Sequence, residues 1–156
     1  MKIIGVLLIL CSAFFLARGY VTEIEESVRS TCALRQIMEN VKNMIECYAM
    51  PIGQILKQMD PEVLKLCGYS GDSLPCDLLE LLENSSVTDG ESREIFFSFS
   101  KDFGKGYRKD ELLRCSMFLE RMRSREKKLL KEAAKKKRVV MAVSLCGAAA
   151  VVILLI

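Results

Sequence analysis

Reactive side chains at workable spacing are few in this 156-residue chain. The first candidates are thiols: Cys32, Cys47, Cys67, Cys76 and Cys115 lie in the middle of the chain, with no C-x-x-C pair among them. Thiolate zinc sites are built from such close pairs, and an odd number of cysteines does not close a disulfide framework. The five therefore read as buried reduced thiols of a cytosolic domain. Histidine is absent, which removes the commonest general base and the Ser-His and Cys-His nucleophile pairs. The neighbouring carboxylates Glu25–Glu26 and Asp110–Glu111 fall on expected helices, where adjacent residues point apart and are solvated. Gly104-Lys105-Gly106 is the nearest approach to a phosphate loop. It lacks the G-x-x-x-x-G-K-[ST] frame and a preceding strand, so it reads as a connection between helices. No Ser-x-x-Lys or Gly-x-Ser-x-Gly motif occurs. The expectation is a non-enzyme with no catalytic, metal-ligating or cofactor-binding residue; any nucleotide hydrolysis would belong to another subunit.

The apolar mass is concentrated at the two ends. Residues 3–17 and 139–156 are uncharged runs, the first bounded by Lys2 and Arg18. A membrane-spanning helix needs roughly 17–25 apolar residues. The second run meets that length, and Gly147 with the alanines after it gives a small-residue face suited to close packing against another helix. The first run also fits a secretory signal peptide, but Phe15-Leu16-Ala17 lacks the small-x-small cleavage pattern. A short uncleaved span with Lys2 and Arg18 snorkelling to the interfaces is preferred. The basic residues Lys127, Lys128, Lys131, Lys135, Lys136, Lys137 and Arg138 precede the second run. By the positive-inside rule, the segment between the runs is cytoplasmic. The expected organisation is an N-terminal transmembrane helix at 3–17, a cytoplasmic helical bundle at 18–138 and a C-terminal transmembrane helix at 139–156.

The segment between the runs reads as all-α. Ile24, Val28, Cys32, Leu34, Met38, Val41, Ile45 and Tyr48 follow helical spacing on one long first helix that continues through Gly19. Pro51 ends it and opens a short helix carrying Ile52, Ile55, Leu56 and Met59. Asp60-Pro61 caps a second short helix, and Leu74–Leu82 forms a third. Asp89 caps a helix reaching Phe103, with Ile95, Phe96, Phe99 and Phe103 on its buried side, and Gly104 and Gly106 stop it. From Lys109 the seam Leu112, Cys115, Leu119, Met122, Leu129, Ala133 is near-heptad and broken at Glu126. No breaker follows, which predicts one helix of about 45 residues, roughly 70 Å long. At helical spacing Met38, Met44, Met50 and Met59 read as core.

Charge divides along the chain. Residues 18–100 hold seven basic and fourteen acidic side chains, and residues 101–138 hold fifteen basic and six acidic. One reading is a bundle whose acidic and basic helices complement each other. The other is a basic face for anionic membrane lipid with an acidic face left for a protein partner. Lys131, Lys135, Lys136, Lys137 and Arg138, with Lys2 and Arg18, are the candidate membrane-interface residues. Nucleic acid is disfavoured, because the basic run lacks interleaved aromatics and abuts an apolar segment.

The order of these features resembles the stage III sporulation protein AB family of endospore-forming bacteria, over nearly the whole chain. The resemblance rests on the ladder Leu34, Met38, Val41 and Ile45, the pair Pro51-Ile52, Phe103-Gly104 with Asp110 after it, and the Gly-Ala-rich tail. The chain departs from the family at Lys105-Gly106, at Arg35-Gln36, which sit out of register with the ladder, and at Met44. The family is similar to the cytoplasmic domains of the type II secretion platform protein. The resemblance implies a two-pass cell-membrane protein with its central domain in the mother-cell cytoplasm, acting as a scaffold subunit of a secretion channel between mother cell and forespore. Its implied partners are a secretion-type ATPase and other channel subunits; self-association stays open. The alternative is an exported single-span adhesion or receptor module, processed near Arg18 and disulfide-bonded among Cys32 to Cys115.

Overall fold

The computed structural model describes residues 2–48, 52–71, 73–101, 103–104 and 106–155, with side chains described for these except at 2–10, 13, 52, 148 and 152–155. Among the described residues there are six helices and no strand: α1 Lys2–Tyr48, α2 Ile52–Lys57, α3 Pro61–Leu66, α4 Leu78–Glu83, α5 Gly90–Lys101 and α6 Arg108–Leu155. The all-α expectation holds. The last helix is a single run of 48 residues, against the roughly 45 that its unbroken pattern predicts. Two compact units are distinguished: Ser27–Lys128, and Met1–Glu26 with Leu129–Ile156.

The Ser27–Lys128 unit contains the core. Leu34, Ile37, Met38 and Val41 of α1 are buried with Ile55 and Leu56 of α2, Leu81 of α4, Phe96 and Phe99 of α5, and Cys115, Leu119 and Met122 of α6. The ladder Leu34, Met38, Val41, Ile45 is buried throughout, and Ala33 and Ile37 widen it into the two-residue-deep stripe that a helix needs to face several neighbours. Phe99 is the aromatic centre, with ring centroids 6.0 Å from Phe96, 5.2 Å from Phe103 and 5.9 Å from Phe118. Met38 and Met59 are core and Met44 packs against it; Met50 and Pro51 lie outside the described residues. Tyr48 departs from the expected stripe and is exposed, because it stands on the final residue of α1, past the last packed turn.

Caps set the helix boundaries. The last turn of α1 has no basic residue of its own. Its orphan carbonyls are met from the start of α6: Arg108 donates from Nε to the Ile45 carbonyl at 3.1 Å and from Nη2 to that of Glu46. Asp60 accepts the Glu62 amide at 2.9 Å and Pro61 opens α3, as expected. That helix closes in a Schellman motif, with Gly68 N–H to Lys65 and Tyr69 N–H to Leu64 carbonyls, both 3.0 Å. The α4 helix begins at Leu78, not Leu74. Asp77 accepts the Glu80 amide at 2.7 Å while Glu80 reaches back to the Cys76 amide at 2.7 Å. That reciprocal pair fixes the start after Pro75. The α5 helix runs to Lys101, short of the expected Phe103, and Gly104, with φ 82°, supplies the left-handed turn beyond it. Gly106 has no positive φ.

The unit Met1–Glu26 with Leu129–Ile156 consists of the outer parts of α1 and α6. Among the described residues no helix is long and apolar enough to cross a membrane. Most side chains of 3–17, and several of 139–156, lie outside those described.

Gly68 carries a sharp prediction. Its φ is 73°, and a Cβ there would lie 1.8 Å from Ser86 Oγ. Gly68→Ala should cost about 1–3 kcal/mol in chemical denaturation, from left-handed strain plus overlap. Adding Ser86→Ala should return only part of it. Wild-type stability for the single variant would contradict this account of the turn.

Candidate functional site

The most tightly bonded polar feature lies inside the bundle. Asp89 caps α5, accepting the Ser92 amide at 2.9 Å and the Ser92 hydroxyl at 2.6 Å. The same carboxylate receives the fork of Arg125 from α6, Nε to Oδ2 at 3.0 Å and Nη2 to Oδ1 at 2.6 Å. Thr31 of α1 donates to Ser92 Oγ at 3.0 Å, and both hydroxyl residues are wholly buried. One carboxylate thus joins α1, α5 and α6. Burial opposes its ionisation, but the bonds from Arg125 and Ser92 outweigh that and hold Asp89 down at about 2. Arg125 also reaches the more exposed Glu91 at 2.8 Å.

A second polar layer joins α1 to α6. Arg35 donates to Glu126 at 2.7 Å and to Glu39 at 2.6 Å, and Arg123 donates to Glu39 at 2.8 Å. Glu126 breaks the apolar seam where α6 faces Arg35, the residue out of register with the α1 ladder. Burial works against the charge of Arg35, yet its bonds to Cys32 and Glu39 and the charge of Glu126 raise its pKa on balance. Burial likewise pushes Glu39 up, and Arg123 and Arg35 bring it below its usual value. Acidic residues of 18–100 and basic residues of 101–138 do complement each other at Glu39–Arg123, Asp89–Arg125 and Glu91–Arg125.

Several expectations about reactive groups need correction. Cys67 and Cys115 are buried, but Cys47 and Cys76 are exposed and Cys32 is intermediate. The first pair are unreactive: burial raises the Cys67 thiol, and burial together with nearby Glu111 pushes Cys115 up to about 11. Glu111 is not solvated. The loop from Gly104 brings the Gly106 amide to its Oε1 at 3.0 Å, and its buried Oε2 has no hydrogen-bond partner among the described residues. Asp110 is exposed, as expected. Lys105 lies outside the described residues. Among the described residues no cluster of His, Cys, Asp or Glu could hold a metal ion.

The expected membrane-interface residues belong to the terminal unit. Arg18 is exposed on α1, and Lys131, Lys135, Lys136, Lys137 and Arg138 are exposed on α6. Lys137 pairs with Glu25 of α1; the Lys2 side chain lies outside the described residues. The Ser27–Lys128 unit adds a feature the periodicity did not reveal. Between α4 and α5 runs an open groove of about 380 Å³, lined by Leu79, Leu82, Glu83, Arg93, Glu94 and Phe97. The signal was Phe97 itself, an aromatic on the side of α5 away from Ile95, Phe96 and Phe99.

The depressed Asp89 pKa has a definite sign. Its contribution to stability is complete above the unfolded value near 4 and is lost as pH falls toward about 2. Asp89→Asn should cost about 2 kcal/mol at pH 7, and the gap to wild type should close between roughly pH 4 and pH 2. A gap independent of pH over that window would contradict the assignment.

The sequence model described as stage III sporulation protein AB matches residues 76–156, which contain α4, α5 and α6. This is narrower than the near-whole-chain resemblance expected: Phe103-Gly104, Asp110 and the Gly-Ala-rich tail fall inside the match, and the α1 ladder falls outside. No curated protein and no solved structure matches the chain. With more than half of its length matched, the chain belongs to the stage III sporulation protein AB family and is a sporulation protein.

Proposed function

We propose that the protein is a non-enzymatic, membrane-tethered scaffold subunit of a secretion channel between mother cell and forespore. Its bundle stands in the mother-cell cytoplasm and docks a secretion-type ATPase. The observation that carries the membrane part is the exposure of apolar side chains on two nearly opposite faces of α6. Val139, Met141, Val143 and Leu145 are 61%, 64%, 65% and 74% exposed. Alternate positions on a helix lie on nearly opposite faces, so these four do not form a stripe that one neighbour could cover. A helix apolar all round is covered by lipid or by a protein interior. Phe14, Phe15 and Leu16 of α1 are similarly exposed. The exposed basic run Lys131–Arg138 directly precedes the apolar residues of α6, the arrangement that favours anionic headgroups at a cytoplasmic face.

Family membership supports the sporulation role, and the interior supports the scaffold role. The strongest polar constellation, Asp89 with Arg125, is consumed in joining helices. The buried thiols are held protonated.

Topology is testable with two native thiols. Cys47 and Cys76 are exposed in the bundle, so they should react without denaturation. In a chain with Cys11 and Cys146 replaced by serine, a membrane-impermeant maleimide should spare both in intact sporulating cells. After permeabilisation it should label both without reductant. Labelling in intact cells, or only after reduction, would put the bundle outside and reject the proposal. A strain lacking the gene should stall after engulfment; normal spores would also reject it.

A further inference from the structure

We infer that the groove between α4 and α5 seats an amphipathic helix of a protein partner, one carrying lysine or arginine beside an apolar stripe. The inference rests on the function proposed above, under which that partner is the secretion-type ATPase. The groove has an apolar floor, with Leu82 buried, Leu79 half-buried and Phe97 47% exposed. An exposed phenylalanine in a cleft between two helices is the kind of surface that an apolar helix face covers.

Charge selects the partner. Residues 76–97 hold six acidic side chains and one basic. Four of the six are already engaged: Asp77 and Glu80 cap α4, and Asp89 and Glu91 bind Arg125. The remaining two, Glu83 and Glu94, both line the groove and make no ion pair among the described residues. Arg93, the one basic residue of the lining, offsets only one of these two charges, and the remaining net −1 favours a cationic ligand over an anionic one. An anionic lipid surface is therefore the wrong occupant. A small molecule fits poorly too, since such sites enclose most of the ligand around converging polar groups, whereas this groove is open.

Gly90 provides a test that removes no interaction. It lines the groove in the first turn of α5, and a Cβ there would meet nothing within 4 Å. Gly90→Leu should therefore fill the groove while leaving the bundle as stable as wild type or more so, because glycine is a poor helix former.

The experiment measures binding of the full-length chain in detergent to the purified secretion-type ATPase of the same organism. Wild type is compared with Gly90→Leu, Phe97→Ala and the double variant Glu83→Lys/Glu94→Lys, with thermal unfolding recorded for each. Each variant should bind roughly tenfold more weakly or worse, and wild-type binding should weaken with salt. Wild-type binding that the variants share, at unchanged fold, would overturn the groove assignment and leave the scaffold proposal standing. No binding by wild type would overturn both. A photo-crosslinking residue at position 97 in sporulating cells should capture the ATPase. Capture of a second copy of the chain instead, through its lysine-rich α6 segment, would overturn the assignment of occupant.

Discussion

The bundle depends on how one largely buried carboxylate is satisfied. Asp89 must cap α5, and it must also answer the guanidinium of Arg125, which α6 carries to a place where only 14% of that side chain is exposed. Without its partner each group would lose its main compensation in a largely desolvated place, Asp89 keeping only Ser92 and Arg125 only the half-exposed Glu91, at a cost of about 2 kcal/mol. Together they form a fork with four hydrogen bonds to one carboxylate, counting Ser92. Thr31 extends the chain of bonds to α1. Apolar burial around Phe96, Phe99 and Met122 supplies most of the driving force, but it is tolerant of small rotations. The fork is not, because its geometry is planar and bidentate. It sets how α5 lies against α6, and therefore which residues of α5 remain outside.

That constraint connects the interior to the surface. With Ser92 turned inward, helical spacing places Glu94 and Phe97 on the opposite side of α5, with Arg93 on its flank. The α4 helix packs on α5, and Leu79 and Leu82 complete the groove. The acidic side chains of this region divide by role: four hold helices in place, and Glu83 and Glu94 are left to face what comes from outside. The basic residues divide in the same way. Arg35, Arg108, Arg123 and Arg125 are spent inside the Ser27–Lys128 unit, whereas Lys131 to Arg138 remain exposed beside the apolar end of α6.

Much of this was legible in the sequence. Helical periodicity located α1 and α6, because a stripe repeated over many turns is a strong signal. The caps at Asp60 and Asp89 were readable for the same local reason. Contacts distant in sequence were not. Nothing local tells that Asp89 meets Arg125 or that Arg35 meets Glu126, since both pairs depend on tertiary register. The break at Glu126 and the misfit at Arg35 were each visible alone; only the fold makes them partners. Glu111 departs from its expected solvation for a related reason. Adjacency to Asp110 suggested a solvated pair, while the turn at Gly104 folds the Gly106 amide onto it. The exposed Cys47 and Cys76 show the limit of composition, which can suggest that thiols are reduced but not where each one lies.

The most direct test is a double-mutant cycle across the fork, comparing Asp89→Asn, Arg125→Met and the pair in thermal or chemical unfolding. Glu91→Gln serves as the half-exposed control, expected to change stability by less than about 1 kcal/mol. The account predicts a coupling energy of about 1.5–3 kcal/mol between Asp89 and Arg125. Additivity within about 0.5 kcal/mol would mean that the two residues do not act as a unit. The fork would then not be what sets α5 against α6.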